Sequence, residues 1–278
     1  MKTTFRQVGT DRRAVRDTRA SGAPGGRALP TAFFITGTDT GVGKTYVTAL
    51  LLAELRRQGI RAAAMKPIAC GRDGRHDAEQ YAALMNHEQP LDVLNPVYLR
   101  HPLAPSVAAK LERRTISLPA IRAAYTQLST LYSPLFVEGA GGLLVPILPS
   151  CHSERSEESR RSTTETLRQA QGDKVKRDHP YFVADLARNL DLPVIIVARL
   201  GLGTINHTLL TVRQAQTMGL KVAGIILNDT TGRRGVAERT NIKVIPELAG
   251  VPLLGVVSHG KPGRVAAQIC RSLLSETV

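Results

Sequence analysis

A glycine-rich loop that ends in Gly-Lys-Thr is the feature that most constrains this sequence of 278 residues. The stretch GTDTGVGKT, residues 37–45, follows the apolar residues FFIT and precedes the helix-like run ALLLAEL. In such a loop, glycines turn backbone N–H groups toward phosphate, and the following helix adds the positive end of its dipole. Lys44 would reach the β- and γ-phosphate oxygens, and the Thr45 hydroxyl could bind Mg²⁺. The strand–loop–helix order therefore predicts a nucleotide phosphate site.

Two positions distinguish this loop from related phosphate loops. The strict motif has glycine where this chain has Thr38. A glycine-rich turn without a ligand is the alternative interpretation, but the intact GKT and its flanking strand and helix oppose it. Partition-type ATPases carry a second signature lysine at the position of Asp39, and it reaches the nucleotide of a dimer partner. An acid there argues against a partition switch and favours a small-molecule enzyme.

The rest of the chain alternates short apolar runs with stretches of helical period. The apolar runs are FFITG, AAAMKP, LFVEGAGG, PVIIVARLG, VAGIILND and PLLGVV, and the helical stretches are 44–58, 182–190, 204–218 and 263–275. Short apolar runs separated by helices predict βαβ units and a buried parallel sheet. We therefore expect a P-loop NTPase-like α/β fold, with a mostly parallel β-sheet and helices on both faces.

Polar residues fall where the predicted strands end. They are residues 38–45 of the loop, Lys66, Glu138 and Asn228. The carboxyl ends of parallel strands meet at one edge of a sheet, and open α/β sheets bind ligands at that edge. The pattern does not give the strand order, but it predicts that these residues face the ligand-binding edge.

Two segments break the alternation of strands and helices. Residues 1–30 are rich in Arg, Gly and Ala, and residues 150–179 contain few large aliphatic side chains among dense mixed charge. Neither segment can bury enough apolar surface to fold alone. We expect 1–30 to be a disordered basic extension, and 31–278 to be a single P-loop α/β domain interrupted at 150–179 by a low-complexity, disordered insertion. A transit peptide and a regulatory loop are the respective alternatives.

Charge and cysteine content limit the class of partner. The formal net charge of +14 raises the question of nucleic acid or an anionic membrane. However, seven of the basic residues and only two acidic ones lie in 1–30, outside the predicted domain. Trp is absent and aromatic residues make up 4%, so the stacking side chains of single-strand binders are scarce. With no membrane-length apolar run and three separated cysteines, we expect a cytoplasmic protein that binds neither nucleic acid nor membrane.

Three further motifs follow the phosphate loop in a specific order. KPIACG (66–71) follows the second apolar run, Asp77 begins DAEQYAALM, and EGAGG (138–142) follows LFV. Together with GTDTGVGKT and the later segments DLARNLDLPVIIVARLGLGTINHTLLT and AGIILND, they resemble the dethiobiotin synthetase family. The resemblance covers about 31–148 and 181–257 and omits the predicted extension and insertion.

The resemblance implies an ATP-dependent ring closure. 7,8-Diaminononanoate and CO₂ or bicarbonate give a carbamate, which ATP phosphorylates to a mixed carbamic–phosphoric anhydride. The second amine then attacks and expels phosphate to give dethiobiotin. The family further implies Mg²⁺ as cofactor, ATP as co-substrate, and a homodimer with the substrate site at its interface. Phosphoryl transfer of this kind needs positioning and charge neutralisation more than a covalent catalyst.

The resemblance also implies roles for the motif residues. Lys44, Lys66 and Thr40 would act on the transferring phosphoryl group and the carbamate. A hydroxyl and two carboxylates suit Mg²⁺, a hard ion that retains several waters. The implied nucleotide ligands are Gly41, Val42, Gly43, Lys44, Thr45 and Asn228, of which Asn228 would read the adenine edge. The implied Mg²⁺ ligands are Thr45, Asp77 and Glu138. The implied substrate ligands are Thr40, Lys66, Cys70, Gly141 and, from the neighbouring subunit, Asn206.

Most of these residues also have a purely structural interpretation. Lys66 could end a strand in solvent, and Asp77 could cap a helix. Asn228–Asp229 could form only a turn, and His207, beside the predicted substrate residue on its helix, is by itself more typical of a surface or capping histidine. Glu138 is harder to explain in this way, because a carboxylate buried at that edge requires a partner.

Three positions depart from the family pattern, and two other functions remain open. Cys70 stands where Ser or Thr is usual, Ser106 where many relatives have His, and Ser258 where proline is common. None of them removes phosphate, metal or carbamate chemistry. The other functions are a related P-loop amidoligase of the corrin type and a partition-type P-loop ATPase that binds nucleic acid. The first usually has a glutaminase domain, for which we expect no room after Val257, and Asp39 opposes the second.

Overall fold

Strands and helices alternate along the chain in this computed structural model, which describes residues 32–71, 74–149, 179–233, 235–260 and 263–275. The predicted extension and nearly all of the predicted insertion lie outside these residues. The strands are β1 (Ala32–Gly37), β2 (Ala63–Met65), β3 (Ile68–Cys70), β4 (Val97–Leu99), β5 (Leu135–Gly142), β6 (Pro146–Leu148), β7 (Tyr181–Phe182), β8 (Val194–Arg199), β9 (Val222–Asn228) and β10 (Leu253–Val257). The helices are α1 (Lys44–Arg57), α2 (His76–Leu84), α3 (Leu91–Leu94), α4 (Pro105–Leu111), α5 (Leu118–Leu131), α6 (Val183–Asn189), α7 (Thr204–Thr217), α8 (Val236–Ala249) and α9 (Gly263–Ser275).

Six parallel strands form the central sheet, in the order β10-β9-β8-β1-β5-β2. Every residue of β1 and the first five of β8 are buried, which requires cover on both faces of the sheet. β1 lies between β5 and β8, so the loop that follows it emerges near the middle of the carboxyl edge. The predicted P-loop NTPase-like α/β fold is confirmed.

The predicted helices begin and end within one residue of the observed ones. The stretches 44–58, 182–190, 204–218 and 263–275 correspond to α1, α6, α7 and α9. The short strands β3, β4, β6 and β7 escape prediction because two or three residues carry no readable period. No helix among the described residues is long and apolar enough to cross a membrane.

One strand continues beyond its predicted end. The sequence predicts that the strand LFV ends at Glu138, but β5 continues to Gly142. Glu138 pairs in register with Ile35, and after a local irregularity Gly142 pairs with Gly37. Gly and Ala residues show no side-chain alternation, so the sequence gives no sign of this continuation. Glu138 therefore lies within the depth of the sheet instead of at its rim.

Candidate functional site

A cleft of about 800 Å³ opens where β1, β2 and β5 end. The loop after β1, the beginning of α2, the segment before α4 and the end of β5 form its walls. The predicted site residues that line it are Thr40, Gly41, Gly43, Lys44, Thr45, Lys66, Cys70, Asp77, Glu138 and Gly141. Three others lie elsewhere: Val42 is buried in the loop, Asn228 ends β9, and Asn206 is exposed on α7.

Two glycines with positive φ shape the phosphate loop. Gly41 has φ 76°, and Gly43, at the N-cap of α1, has φ 91°. A Cβ at Gly43 would lie 2.1 Å from Nδ2 of Asn228, so a larger residue would displace that amide. Asn228 Nδ2 donates to the Val42 carbonyl at 2.9 Å. β9 thus supports the loop, and the N-terminal turn of α1 stays open to the cleft.

Lys44 lies inside the loop, and its ammonium group forms no ion pair with a carboxylate of the described residues. Its Nζ donates to the backbone carbonyl of Asp39 at 3.1 Å, and the residue is 6% exposed. Burial lowers the pKa of Lys44, and the negative charge of Glu138 offsets only part of that effect. The Asp39 carboxylate accepts the backbone N–H of Thr40 at 2.6 Å within the same loop. Lys44 is therefore placed to receive an added negative charge, such as a phosphate.

Glu138, Asp77 and Lys66 form a second group, the carboxylate cluster. Glu138 is completely buried, and its Oε1 accepts from Lys66 Nζ at 2.6 Å and from Thr45 Oγ1 at 2.9 Å. Lys66 Nζ also pairs with Asp77 Oδ2 at 2.7 Å. The sequence-predicted residues of α1, α2, β5 and the segment just after β2 thus meet at one point, although 93 residues separate Thr45 from Glu138.

The pKa of Lys66 is shifted in the opposite direction from that of Lys44. Burial acts to lower the pKa of Lys66, but the charges of Glu138 and Asp77 outweigh it and raise the pKa. The two carboxylates therefore favour the charged ammonium form of Lys66. At the end of β3, burial followed by the negative charge of Glu112 raises the pKa of the Cys70 thiol to about 11.

Sequence reasoning missed two buried residues next to the cluster. Tyr81 donates its hydroxyl to Oε2 of Glu138. Burial, and then the charge of Glu138, raises the pKa of Tyr81 well above its usual range, so the hydroxyl keeps its proton. Asn95 donates from Nδ2 to the carbonyl of Lys66 at 2.7 Å and to that of Val97 at 3.0 Å. The sequence signal for Tyr81 is its spacing of four residues from Asp77, which places both on one face of a helix. The signal for Asn95 is a polar residue inside the apolar stretch VLNPVY.

The structure decides most of the structural alternatives. Lys66 is 7% exposed, so it does not end a strand in solvent. The N-cap of α2 is Arg75, which means that Asp77 lies in the first turn and does not cap the helix. Asn228 is the last residue of β9, whereas Asp229 does hold a turn by accepting two backbone N–H groups. His207 is exposed on the first turn of α7, as a surface histidine would be.

The donor set of the site fits Mg²⁺. Thr45 Oγ1 and Glu138 Oε1 are 2.9 Å apart, which is about the separation of adjacent oxygens in an octahedron with ~2.1 Å metal–oxygen bonds. The Asp77 carboxylate lies on the other side of Lys66 Nζ. The described residues contain no group of three His, Cys, Asp or Glu side chains that could hold a metal. A protein hydroxyl and carboxylates with phosphate and water oxygens match Mg²⁺, which seldom takes an all-protein cage.

Comparison with known proteins extends over most of the chain. A protein-family model described as "AAA domain" matches residues 31–153 and 170–262. The curated "ATP-dependent dethiobiotin synthetase BioD" of Bacillus licheniformis is 39% identical over 227 residues, which cover 81% of this chain and 84% of that protein. Its namesake in Thermodesulfovibrio yellowstonii is 36% identical, covering 83% and 90%. That of Methanococcus vannielii is 38% identical, covering 82% and 93%. The similarity thus concerns nearly the whole of each relative, not the phosphate loop alone.

Proposed function

This chain belongs to the family of ATP-dependent dethiobiotin synthetases, and from that premise we propose how its cleft carries out the reaction. The enzyme is an ATP-dependent ligase of biotin biosynthesis that carboxylates 7,8-diaminononanoate and closes the ring to dethiobiotin, with ADP and phosphate as the other products. One observation carries the proposal: two buried lysines and two carboxylates meet in one cleft beside the phosphate loop. The same finding and the named relatives favour the synthetase over a corrin-type amidoligase or a partition-type ATPase.

Negative charge develops on oxygen atoms in each step of the reaction. One amine attacks CO₂ and loses a proton, which leaves a carbamate. A carbamate oxygen attacks the γ-phosphorus of ATP, the bond to the β-phosphate oxygen breaks, and ADP leaves. The second amine then attacks the carbonyl carbon of the anhydride and loses a proton, while the bond to the phosphate oxygen breaks. Fixed positive charges aimed at these oxygens lower the barrier most where water is excluded.

The two lysines divide this work. Lys44 lies within the phosphate loop and binds the β- and γ-phosphate oxygens, whose charge replaces the missing partner of its ammonium group. Lys66 stands between Asp77 and Glu138 and presents a fixed ammonium to the carbamate and the transferring phosphoryl group. Thr40, exposed at the rim of the loop, contacts the same phosphate and carbamate oxygens.

Thr45, Asp77 and Glu138 hold Mg²⁺ in this proposal. The convergence of the Thr45 hydroxyl and the Glu138 carboxylate supports the assignment. When bound, the ion would neutralise negative charge that develops on the phosphate oxygens. The protein shields Glu138 itself from water, since this residue is completely buried and fixed by three side chains.

In this proposal, a second copy of the chain completes the substrate end of the cleft. Cys70 and Gly141 line the cleft; Gly141 has φ 70° and leaves its backbone open to a ligand. Asn206 is exposed on α7 and does not line that cleft, so it touches substrate only if it comes from a neighbouring subunit. This supports a homodimer with the substrate site at its interface.

Subunit mixing tests the homodimer. In a mixed dimer of Lys44→Ala and Asn206→Ala subunits, one site has both residues intact and the other has neither. A random mixture therefore regains about a quarter of wild-type activity at low diaminononanoate, whereas each variant alone does not. Activity equal to the average of the two variants would show that Asn206 acts within its own subunit.

The side-chain nitrogen and oxygen of Asn228 have separate roles in this proposal. Its amide nitrogen supports the loop through Val42, while reading the adenine edge would use the carbonyl oxygen of the same side chain. That oxygen accepts from the adenine amino group and meets an acceptor in guanine. The residue thus connects the shape of the loop to the choice of nucleotide.

Turnover of the full chain tests the function directly. ADP formation is measured with Mg²⁺ and bicarbonate, with and without diaminononanoate, and the molecular mass of the organic product is determined by mass spectrometry. The proposal requires ADP that depends on the diamine and a product with the mass of dethiobiotin. An equal rate of ADP formation with and without the diamine would contradict the proposed function. We also propose a cytoplasmic location, which recovery of activity in the supernatant of centrifuged lysate would support.

A further inference from the structure

The carboxylate of Glu138 is held at both oxygens, and the two oxygens have different kinds of partner. Oε1 accepts from Thr45 and Lys66, which also face the cleft. Oε2 accepts from Tyr81, which is completely buried and does not line the cleft. One oxygen is thus engaged with residues that bind ligands, and the other with a residue that ligands do not reach.

Tyr81 reaches Glu138 from the same helix that carries Asp77. The two residues are four apart on α2, so their side chains project from one face, one turn apart. Asp77 holds Lys66, and Tyr81 holds Glu138. A single helix therefore fixes both the cation and the anion at the centre of the carboxylate cluster.

The partners of Oε1 have other tasks during the reaction. In the proposed function, the Thr45 hydroxyl would also hold Mg²⁺ and the Lys66 ammonium would also face the carbamate, so both partners of Oε1 would be shared with ligands. The hydroxyl of Tyr81 has no such task. It keeps a charge-assisted hydrogen bond to Oε2, which fixes the rotation of the carboxylate while the partners of Oε1 are shared with ligands.

We propose that Tyr81 is a positioning residue that anchors Oε2 of Glu138, so that Oε1 stays aimed at Thr45 and the metal position. The inference deepens the proposed function and rests on its assignment of Glu138 as a ligand of Mg²⁺. Partners that orient a metal-binding carboxylate change metal affinity or activity by about 10–100-fold when removed. Tyr81 does this through Glu138 and touches neither substrate nor metal.

The test compares two tyrosines that each lose only a hydroxyl. Tyr81→Phe removes the donor to Glu138. Tyr132→Phe is the matched control, because Tyr132 is 2% exposed and donates to a different carboxylate, Glu88, at 3.0 Å, away from the cleft. For both full-length variants we measure binding of Mn²⁺ by electron paramagnetic resonance in the presence of a non-hydrolysable ATP analogue, then kcat, KM and thermal unfolding.

Tyr81→Phe is expected to weaken Mn²⁺ binding and to lower kcat by about tenfold or more, with KM for diaminononanoate within about threefold of wild type. Tyr132→Phe should leave both near wild type. Wild-type Mn²⁺ affinity in a folded Tyr81→Phe protein would overturn the inference. So would equal losses in the two variants, which would indicate general destabilisation. If Tyr81→Phe melts near the assay temperature, both variants are compared at a lower temperature where both are folded.

Failure of the proposed function gives a different result. If wild-type protein shows no diamine-dependent turnover, the function fails whatever Tyr81 does. If wild-type protein turns over but Glu138→Gln binds Mn²⁺ as tightly as wild type, the metal assignment fails. Only when both of these controls behave as proposed does wild-type metal binding by Tyr81→Phe count against Tyr81 alone.

Discussion

The phosphate loop and the carboxylate cluster face the same cleft, yet each holds its lysine in a different way. Lys44 donates to one backbone carbonyl, and burial lowers its pKa. Lys66 lies between two carboxylates, whose charges outweigh the effect of burial and raise its pKa. A buried charge is costly without a partner, so the loop is completed by its ligand. The cluster, in contrast, contains its own counter-charges before any ligand binds.

The two lysines should differ most in how much they contribute to the free energy of unfolding. Lys66→Met leaves Asp77 and Glu138 facing each other without a cation, and loss of one partner from a buried pair costs about 3–5 kcal/mol. Lys44→Met removes an ammonium group that contacts no carboxylate among the described residues, so we expect the free energy of unfolding to change by only about 1 kcal/mol. Denaturant unfolding of the two ligand-free variants measures the difference. Equal losses would mean that both lysines depend on the same counter-charges.

Loss of the central carboxylate should have the largest effect on turnover. Glu138→Gln keeps the size of the side chain but removes the negative charge that Thr45 and Lys66 share. We expect kcat to fall by about 10²–10³, as for other groups that stabilise charge in a reaction. Steady-state ADP release measures it.

A buried glutamate outside the cleft provides the control for that loss. Glu54 on α1 is 8% exposed and bonds to Arg57 at 2.8 Å. Glu54→Gln should retain kcat within about threefold, because the change of side chain is the same but lies away from the reacting atoms. A Glu138→Gln enzyme as active as the Glu54 variant would remove the carboxylate cluster from the mechanism.

The two regions also differ in how far the sequence reveals them. The phosphate loop is predictable because its glycines, lysine and threonine are neighbours in the chain, and their chemistry depends on local backbone shape. The cluster is predictable only in part. Lys66 and Glu138 are marked by the apolar residues that precede them, but Tyr81 contacts Glu138 across 57 residues and Asn95 contacts Lys66 across 29. Such contacts follow from packing of α2 and α3 against β2, which no local pattern encodes.

Asn228 tests the support of the loop from β9. Asn228→Ala removes the donor to the Val42 carbonyl and the oxygen proposed to read adenine. One hydrogen bond contributes about 1 kcal/mol, so kcat/KM for ATP should fall about five- to tenfold, and less for GTP. Initial rates with each nucleotide give the ratio. Asn189→Ala, at the end of α6, is the control and should change neither rate; an unchanged ATP-to-GTP ratio in Asn228→Ala would refute adenine reading.

The smallest effect concerns Cys70, which lies beside the cluster. Burial and the charge of Glu112 raise its pKa to about 11, while the positive charge of Lys66 lowers it only weakly. The thiolate is the reactive form, so alkylation of Cys70 by iodoacetamide should rise about tenfold per pH unit from pH 8 to 10. Site-resolved mass spectrometry follows the rate, and in denatured protein the rise should level off near pH 9. Levelling at that pH in the folded protein would mean that Lys66 acts as an unneutralised charge, contrary to its pairing with Glu138 and Asp77.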